Sequence, residues 1–316
     1  MNEYRGKHAP SSPWPVSSRA AVPVRRGRHL KKRRVRRFWA VFSALILLLI
    51  LAYPLIEARI LTVDKVIIHA DDLPWDANHL RIVYLSDIHW GYWFSDGDLS
   101  RLLNKVNSLR PDLVLFGGDY ATDYDSAVQF FRRLPNLARI HARYGIYGVL
   151  GETDYGESPD DRTILTEYMA NADVTPLINQ TVPVYIGSGT VYIAGLDDSS
   201  AGKPDLKSVS AALKPSDFVI LLSHNPSVIP SAQQTQDGSG SLGWFDLGLF
   251  GHTHGGQMMF FDSLLGIADD VQQRYRSGWL TENRVDLLVS RGVGTSVIPA
   301  RFACYPQIHD IDVSLP

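Results

Sequence analysis

The order of apolar and polar positions divides this chain into three stretches. Residues 1–37 show no apolar periodicity, residues 38–56 carry no charge, and from residue 61 onwards short apolar runs alternate with amphipathic stretches. Short apolar runs rich in branched side chains are typical of buried strands, whereas apolar positions three and four residues apart indicate helices. The last stretch therefore predicts an α/β domain built in layers.

The predicted elements of this domain follow one another in a regular order. Strands are predicted at seven apolar runs, namely 65–69, 81–86, 112–116, 145–150, 190–194, 217–222 and 245–250. Helices are predicted between them at 98–109, 126–138, 160–172 and 206–213. Runs without intervening helices predict added antiparallel strands at 258–261, 285–290 and 308–313. Because the runs are mostly apolar throughout, we expect strands that are covered on both faces.

The apolar stretch at 38–56 is long enough to cross a membrane. As a helix, its 19 residues would span about 28 Å at about 1.5 Å per residue, close to the ~30 Å of a bilayer core. No convincing small-x-small cleavage site follows it, so we expect an uncleaved transmembrane anchor over residues 38–57. A buried helix of a soluble protein is the alternative interpretation.

Charge is distributed unevenly around this segment. Residues 1–37 contain 12 Lys and Arg against the single acidic residue Glu3. This basic tail is expected to be disordered and to stay in the cytoplasm. The domain at 60–316 would then lie outside the plasma membrane of a single-pass protein. Because charge asymmetry alone supports this orientation, a domain that faces the cytoplasm stays open as the alternative.

The composition of the remaining chain limits which partners it could bind and which side chains could hold a metal. Residues 38–316 hold 19 basic and 32 acidic side chains, a net charge of −13. An acidic body repels phosphate backbones, so no nucleic-acid partner is expected. Cys304 is the only cysteine, which excludes an intrachain disulfide and a thiolate-rich metal site. A metal would need His and carboxylate ligands, which suit Mn, Fe, Zn or Mg.

Five of the predicted strands end in side chains that can bind metal. The residues that follow them are Asp87-Ile88-His89, Gly118-Asp119, Gly151-Glu152-Thr153-Asp154, His224 and Gly251-His252-Thr253-His254. Ligands in layered α/β folds gather beyond the carboxyl ends of the strands, so these groups should converge. Each motif is weak by itself, but the five together are specific.

In order and residue type these motifs resemble the calcineurin-like metallophosphoesterases, whose pattern is D-x-H, G-D, G-N-H-D/E, an isolated His and G-H-x-H. The resemblance covers roughly residues 65–316, and the segments at 86–89, 251–257 and 290–296 are similar to the membrane-associated bacterial branch. It implies a sandwich of two mixed β-sheets flanked by helices. It also implies hydrolysis of phosphate esters or anhydrides by water that two divalent cations activate.

Carried over position by position, the resemblance implies a ligand set and catalytic positions. Seven metal ligands are expected at Asp87, His89, Asp119, Glu152, His224, His252 and His254. One ion would be held by Asp87, His89 and His254. The other would be held by His224 and His252, and Asp119 would bridge the two ions. The expected catalytic positions are Asp119, Thr153 and Asp154, the last as a carboxylate that orients ligands.

The fourth motif departs from the family pattern at two adjacent positions. Glu152 stands where the family has Asn, so a third carboxylate would bind metal more tightly but leave the centre less positive. Thr153 stands where the family has a His near the leaving group, and a threonine cannot act readily as an acid at neutral pH. We therefore expect a preference for phosphoanhydrides or activated esters, with Tyr155 as one alternative acid.

Two functions remain after these considerations. One is a tethered hydrolase whose phosphate-containing substrate is a membrane lipid, a lipid precursor or an envelope metabolite. The other is a degenerate relative without catalysis that binds metal or serves as a scaffold. An aromatic cluster at 90–94, directly after the first motif, should border the site and either contact substrate or pack beneath its loop.

Overall fold

The computed structural model of this chain describes residues 27–137, 139–258 and 270–316. The chain divides into two compact units, Met1–Leu49 and Ile50–Pro316. The domain boundaries expected at residues 37, 57 and 60 stay predictions. Residues 259–261 of the strand predicted at 258–261 and the last residue of the helix predicted at 126–138 lie outside the described residues.

The first helix, α1, spans Gly27–Glu57 and contains Pro54. Within its segment Arg33–Glu57, the most apolar 18 residues have a mean hydropathy of 2.5 and none of them is buried, so the helix is long and apolar enough to cross a membrane. The expectation of disorder up to residue 37 is wrong for residues 27–37, because they are helical. Lys and Arg are good helix formers, and extending an existing helix requires no new nucleation.

The second unit contains five α-helices and twelve strands in its described residues. The helices are α2 Asp96–Ser108, α3 Tyr124–Leu137, α4 Pro159–Asn171, α5 Leu206–Ser210 and α6 Ile229–Gln234. The strands of the first half are β1 Thr62–His69, β2 Leu80–Leu85, β3 Leu113–Phe116, β4 Ile146–Gly148, β5 Thr175–Pro176 and β6 Gln180–Ile186. Those of the second half are β7 Gly189–Gly195, β8 Phe218–Leu222, β9 Leu247–Phe250, β10 Gly278–Glu282, β11 Val285–Val289 and β12 Gln307–Ser314.

The strands form two mixed sheets. The first has the order β1-β12-β2-β3-β4-β5, in which β2 to β5 run parallel and β12 is antiparallel to β2. The second has the order β10-β11-β9-β8-β7-β6, in which β7, β8, β9 and β11 run parallel between antiparallel edge strands. The carboxyl ends of the parallel central strands therefore lie along the same edge of each sheet.

Alternating side chains build the layers. On β2, Ile82 and Tyr84 point into the core between the two sheets, whereas Val83 and Leu85 pack beneath helices α2, α3 and α4. On β8, the corresponding outward side chains pack beneath α5 and α6. This is the helix–sheet–sheet–helix sandwich that the fold class predicted, and it buries the central strands on both faces.

Most predicted elements are confirmed, but the last strands needed correction. The seven earlier strands and four helices are present, with α5 ending at Ser210 instead of residue 213. Strands β5, β6 and β10 and helix α6 were not predicted. The expectation of purely antiparallel additions is wrong, since β11 is parallel to β9 and β12 is parallel to β1. Apolar periodicity records burial and not strand direction, and long connections allow parallel pairing without a helix.

Candidate metal centre

The expected metal ligands all follow the carboxyl ends of central strands. Asp87 and His89 follow β2, Asp119 follows β3, and Glu152 follows β4 in the first sheet. The ligands of the second sheet are His224 after β8 and His252 and His254 after β9. The structure brings all seven together at one edge of the sandwich, in three overlapping groups whose potential ligand atoms lie within 4.8 Å of one another.

The inner group consists of Asp87, His89 and His254. Nε2 of His89 lies 3.0 Å from Nε2 of His254, which in turn lies 3.7 Å from Oδ1 of Asp87. All three side chains are buried. Two ring nitrogens and a carboxylate oxygen therefore lie close together among buried side chains.

The outer group consists of Glu152, His224 and His252. Oε2 of Glu152 lies 2.7 Å from Nδ1 of His252 and 3.3 Å from Nε2 of His224. The third group joins Asp87, Asp119 and His224. Oδ2 of Asp119 lies 3.5 Å from Nε2 of His224 in this group and 3.4 Å from Nε2 of His89 in the inner group. Asp119 thus stands between the inner and the outer group.

The unpaired atoms of this site fit divalent cations. Among the described residues, the buried Oδ2 of Asp87 and Nε2 of His224 have no hydrogen-bond partner. Buried polar atoms normally have one, and a cation held by imidazole and carboxylate would satisfy both atoms. The seven residues offer only nitrogen and oxygen atoms, a set suited to Mn, Fe, Zn or Mg.

The carboxylates and imidazoles shift one another's pKa strongly. Burial would raise the pKa of Asp119, but His224, His89 and the N–H of Thr153 hold it well below its usual range. The same balance lowers the pKa of Glu152 to about 2 through His224 and His252. Burial, His89 and Arg301 lower the pKa of His254 well below its ordinary value. The lowered pKa favours the neutral form of the His254 imidazole, which is the form that binds metal.

Backbone strain is concentrated at this edge. Five of the seven expected ligands have a positive φ, namely Asp87, His89, Asp119, His252 and His254. Such conformations cost on the order of 1–3 kcal/mol each and cluster at functional sites. Close packing adds a further constraint at Gly151, where a Cβ atom would lie 2.2 Å from Oδ1 of Asp119.

The two other expected catalytic residues support the loops of the site. Thr153 donates its N–H and its hydroxyl to Oδ1 of Asp119, at 3.0 and 2.9 Å, and the hydroxyl also lies 2.8 Å from the carbonyl oxygen of Ala121. Asp154 is fully buried and accepts the backbone N–H groups of Asp119, Tyr120 and Gly151. Its carboxylate fixes loops, whereas the sequence predicted that it orients imidazoles.

Asp270 and Asn225 border the outer group and were missed at the level of sequence. Oδ1 of Asp270 lies 3.1 Å from Nε2 of His252, and Nδ2 of Asn225 donates to Oδ2 of Asp270 at 2.7 Å. A carboxylate at Nε2 favours a proton there and leaves Nδ1 of His252 directed at Glu152. Asn225 directly follows His224, which was the available signal, but Asp270 stands in no motif.

Arg301 borders the inner group and was also missed. It is fully buried, and its guanidinium lies 3.3 Å from Nδ1 of His254 while donating to the carbonyl oxygens of Gly292 and Gly294. Its position 47 residues after His254 gave no local signal. The fold and the site together define an α/β protein with a candidate divalent-metal centre.

The family of this chain follows from comparison with known proteins. The model of the calcineurin-like phosphoesterase family matches residues 80–256, which include all seven expected ligands. The chain therefore belongs to the calcineurin-like phosphoesterases, a family of metal-dependent hydrolases of phosphoester bonds.

Relatives of this chain come from bacteria and from an animal. An uncharacterized metallophosphoesterase of Bacillus subtilis, YkuE, is 28% identical over 257 residues, or 80% of this chain and 85% of that protein. The phosphodiesterase YaeI of Escherichia coli is 26% identical over 74% of this chain and 82% of its own length. A transmembrane protein with a metallophosphoesterase domain from Danio rerio is 30% identical over 77% of this chain, which spans 55% of that relative.

Proposed function

We propose that this chain is a two-metal phosphoesterase that hydrolyses phosphate esters or phosphoanhydrides. The observation that carries the proposal is the position of Asp119 between two complete groups of candidate ligands. Asp87, His89 and His254 would hold one cation, and Glu152, His224 and His252 the other. When bound, such cations polarise phosphoryl oxygens and make water nucleophilic at neutral pH.

The residues around the ligands hold them in place for this chemistry. Thr153 donates two hydrogen bonds to the Asp119 carboxylate, and Asp154 accepts the backbone N–H of Asp119. Together these bonds fix the position of Asp119. Glu152 is the more exposed carboxylate, with 35% of its side chain accessible, so substrate would enter from the side of the outer group. Fixed dipoles and charges of this kind favour a charged transition state without reorganisation.

The leaving group would depart without assistance from the residues on the fourth motif. The hydroxyl of Thr153 is engaged with Asp119 and Ala121. Tyr155 donates its hydroxyl to Asp197, and burial together with this carboxylate raises the pKa of Tyr155 well above its usual value. Since neither group is a ready acid, we propose that anhydrides and activated esters are preferred over alkyl phosphates.

Restoring the family residue tests this preference. We expect Thr153→His to increase kcat/KM for alkyl monoesters by about 100-fold or more, the usual worth of general acid catalysis. Activated aryl esters should gain little, because their leaving groups need no proton. Steady-state kinetics over a series of leaving groups measures the difference. Equal gains over the whole series would contradict the proposal.

We also propose that α1 tethers the enzyme to the membrane and that its substrate is a lipid headgroup, a lipid precursor or an envelope metabolite. The support is the exposed apolar segment Arg33–Glu57 and the basic residues before it. The excess of Lys and Arg favours a cytoplasmic N-terminus and a domain outside the plasma membrane. A C-terminal reporter active only outside the cytoplasm tests the orientation, and activity of a cytoplasmic reporter would reverse it.

Glu152 and Thr153 favour a second candidate, a relative that binds metal without catalysis. The discriminating experiment uses the full chain purified in detergent. We measure bound metal after loading with Mn and turnover of bis-p-nitrophenyl phosphate. Two bound ions with turnover support the proposed enzyme, whereas bound metal without turnover of any activated substrate supports the binding role.

A further inference from the structure

The last turn of α1 is fastened to the loop at 301–305. The buried carboxylate of Glu57 accepts the backbone N–H groups of Ala303 and Cys304, at 3.1 and 2.6 Å. The N–H of Arg301 donates to the carbonyl oxygen of Pro54 at 2.9 Å. These hydrogen bonds involve Pro54 and Glu57, which are still part of the helix. Residues 50–57 therefore belong to the same compact unit as the domain. The domain surface next to Glu57 therefore lies directly after the last residues of the proposed membrane segment.

Three cationic side chains lie on this surface, which we call the juxtamembrane surface. They are Arg59, Arg101 and Lys105, and all three are exposed. Arg59 comes two residues after Glu57, so its Cα lies at most ~7 Å from the end of the proposed span. Arg101 and Lys105 stand four residues apart on one face of α2. Asp98 pairs with both arginines, which leaves the cluster with a net positive charge.

Apolar groups accompany these charges. A cavity of about 500 Å³ lies between Arg59, Arg101 and Lys105 and is lined by apolar side chains that include Phe94 and Leu102. Its volume is comparable to that of sites for small ligands. An otherwise acidic body thus carries a basic rim around an apolar depression directly beyond its proposed anchor.

The aromatic turn at 91–94 extends from the same region. Phe94 accepts the N–H of Gly91 on its carbonyl oxygen and packs against the core beneath α2. Tyr92 and Trp93 at the tip are 92% and 47% exposed. Exposed Tyr and Trp beside Arg and Lys are the composition that proteins use at the headgroup level of a bilayer.

We propose that the juxtamembrane surface, formed by Arg59, Arg101, Lys105, Tyr92 and Trp93, binds the headgroup layer of an anionic bilayer. Its basic side chains would contact lipid phosphates, and the two aromatic rings would enter the interface. The inference rests on the proposed tethering. It goes further in assigning a second, electrostatic contact that holds the metal centre at the membrane surface.

The test uses the full chain in nanodiscs of phosphatidylcholine or of phosphatidylcholine mixed with phosphatidylglycerol. Quenching by brominated lipid is measured for the chain and for Trp93→Phe, so that their difference reports Trp93. We expect quenching of Trp93 in anionic discs and its loss in Arg101→Glu/Lys105→Glu. Each basic residue near an anionic surface should shift the docking equilibrium about fivefold. High salt should reduce the effect, since screening shortens to about 3 Å at 1 M.

A matched charge reversal serves as the control. Lys207 and Lys214 are exposed elsewhere on the domain, and Lys207→Glu/Lys214→Glu should leave quenching of Trp93 unchanged. Equal quenching in neutral and anionic discs, or equal losses in both double variants, would overturn the inference. Extraction of membranes at alkaline pH separates the two proposals. A chain that is released disproves the tethering, whereas a retained chain with unquenched Trp93 disproves only the juxtamembrane contact.

Discussion

The inner and outer groups of the candidate metal centre differ in the exposure of their most accessible ligand and in their agreement with the family pattern. Asp87, His89 and His254 are at most 4% exposed and match the family motifs. In the outer group His224 is fully buried, but the side chains of Glu152 and His252 are 35% and 10% exposed. The outer group also contains the one ligand position that departs from the pattern.

This difference indicates distinct constraints on the two groups. An enclosed ligand cannot change without leaving a buried polar atom unpaired, which costs about 1–3 kcal/mol. A ligand at the opening can change its charge while water and nearby side chains compensate. Under the proposed function, Glu152 is therefore the ligand position whose substitution would alter metal affinity and leaving-group preference with the least effect on the fold.

The largest effect is expected where the two groups meet. Asp119→Asn removes the carboxylate that lies between them, and both ions should bind at least about 100-fold more weakly, since even outer partners of ligands are worth about 10–100-fold. Metal content after dialysis and turnover of an aryl diester measure the loss. Asp125→Asn, at an exposed position on α3, is the control. Loss of only one ion would show that Asp119 serves one group alone.

An intermediate effect confined to the outer group is expected from Asp270. Asp270→Asn removes the carboxylate at Nε2 of His252, so the second ion should bind about 10–100-fold more weakly while the first is retained. Titration with Mn, followed by electron paramagnetic resonance, counts each site separately from activity. Asp173→Asn, whose side chain is 75% exposed, is the control. Equal weakening of both ions would argue against the division into two groups.

A smaller decrease in the affinity of the outer ion is expected from a change at Glu152, where the fourth motif departs from the family pattern. Glu152→Asn restores the neutral family ligand, and loss of one negative charge should weaken the outer ion by about tenfold, or roughly 1.4 kcal/mol. Turnover at saturating metal should rise, because a more positive centre polarises phosphate better. Calorimetric titration and kinetics test both directions, with Glu167→Gln as the exposed control. Tighter binding by the variant would contradict this account.

The seven expected ligands were visible in the sequence because each follows an apolar strand or stands in a short motif. The layers and the central strands were predictable for the same reason, since burial on both faces leaves apolar runs. Asp270 and Arg301 were not, because their contacts with His252 and His254 depend on long irregular connections. Thr153 was visible as a substitution, but its bonds to Asp119 needed three-dimensional contacts.

An effect on the stability of the fold and not on metal binding is expected at the opposite end of the strand that leads to the candidate metal centre. Asp246 directly precedes β9, whose other end leads to His252, and burial raises the pKa of Asp246 to about 7. Because the folded pKa lies above the unfolded value of 3.8, this carboxyl stabilises the fold at low pH, and its contribution is lost as pH rises from about 4 through 7.

Asp246→Asn should remove this dependence and keep an acceptor for the N–H of Val219. The difference in the free energy of unfolding between the variant and the unchanged chain should grow in favour of the variant by on the order of 1–2 kcal/mol from pH 5 to pH 8. This is less than the pKa shift alone would give, because Asp246 is partly exposed. Denaturation of the metal-loaded chain in detergent at both pH values measures it. The ligands are the same in both proteins, so their titration cancels, and a constant difference between the two pH values would show that Asp246 is not the group responsible.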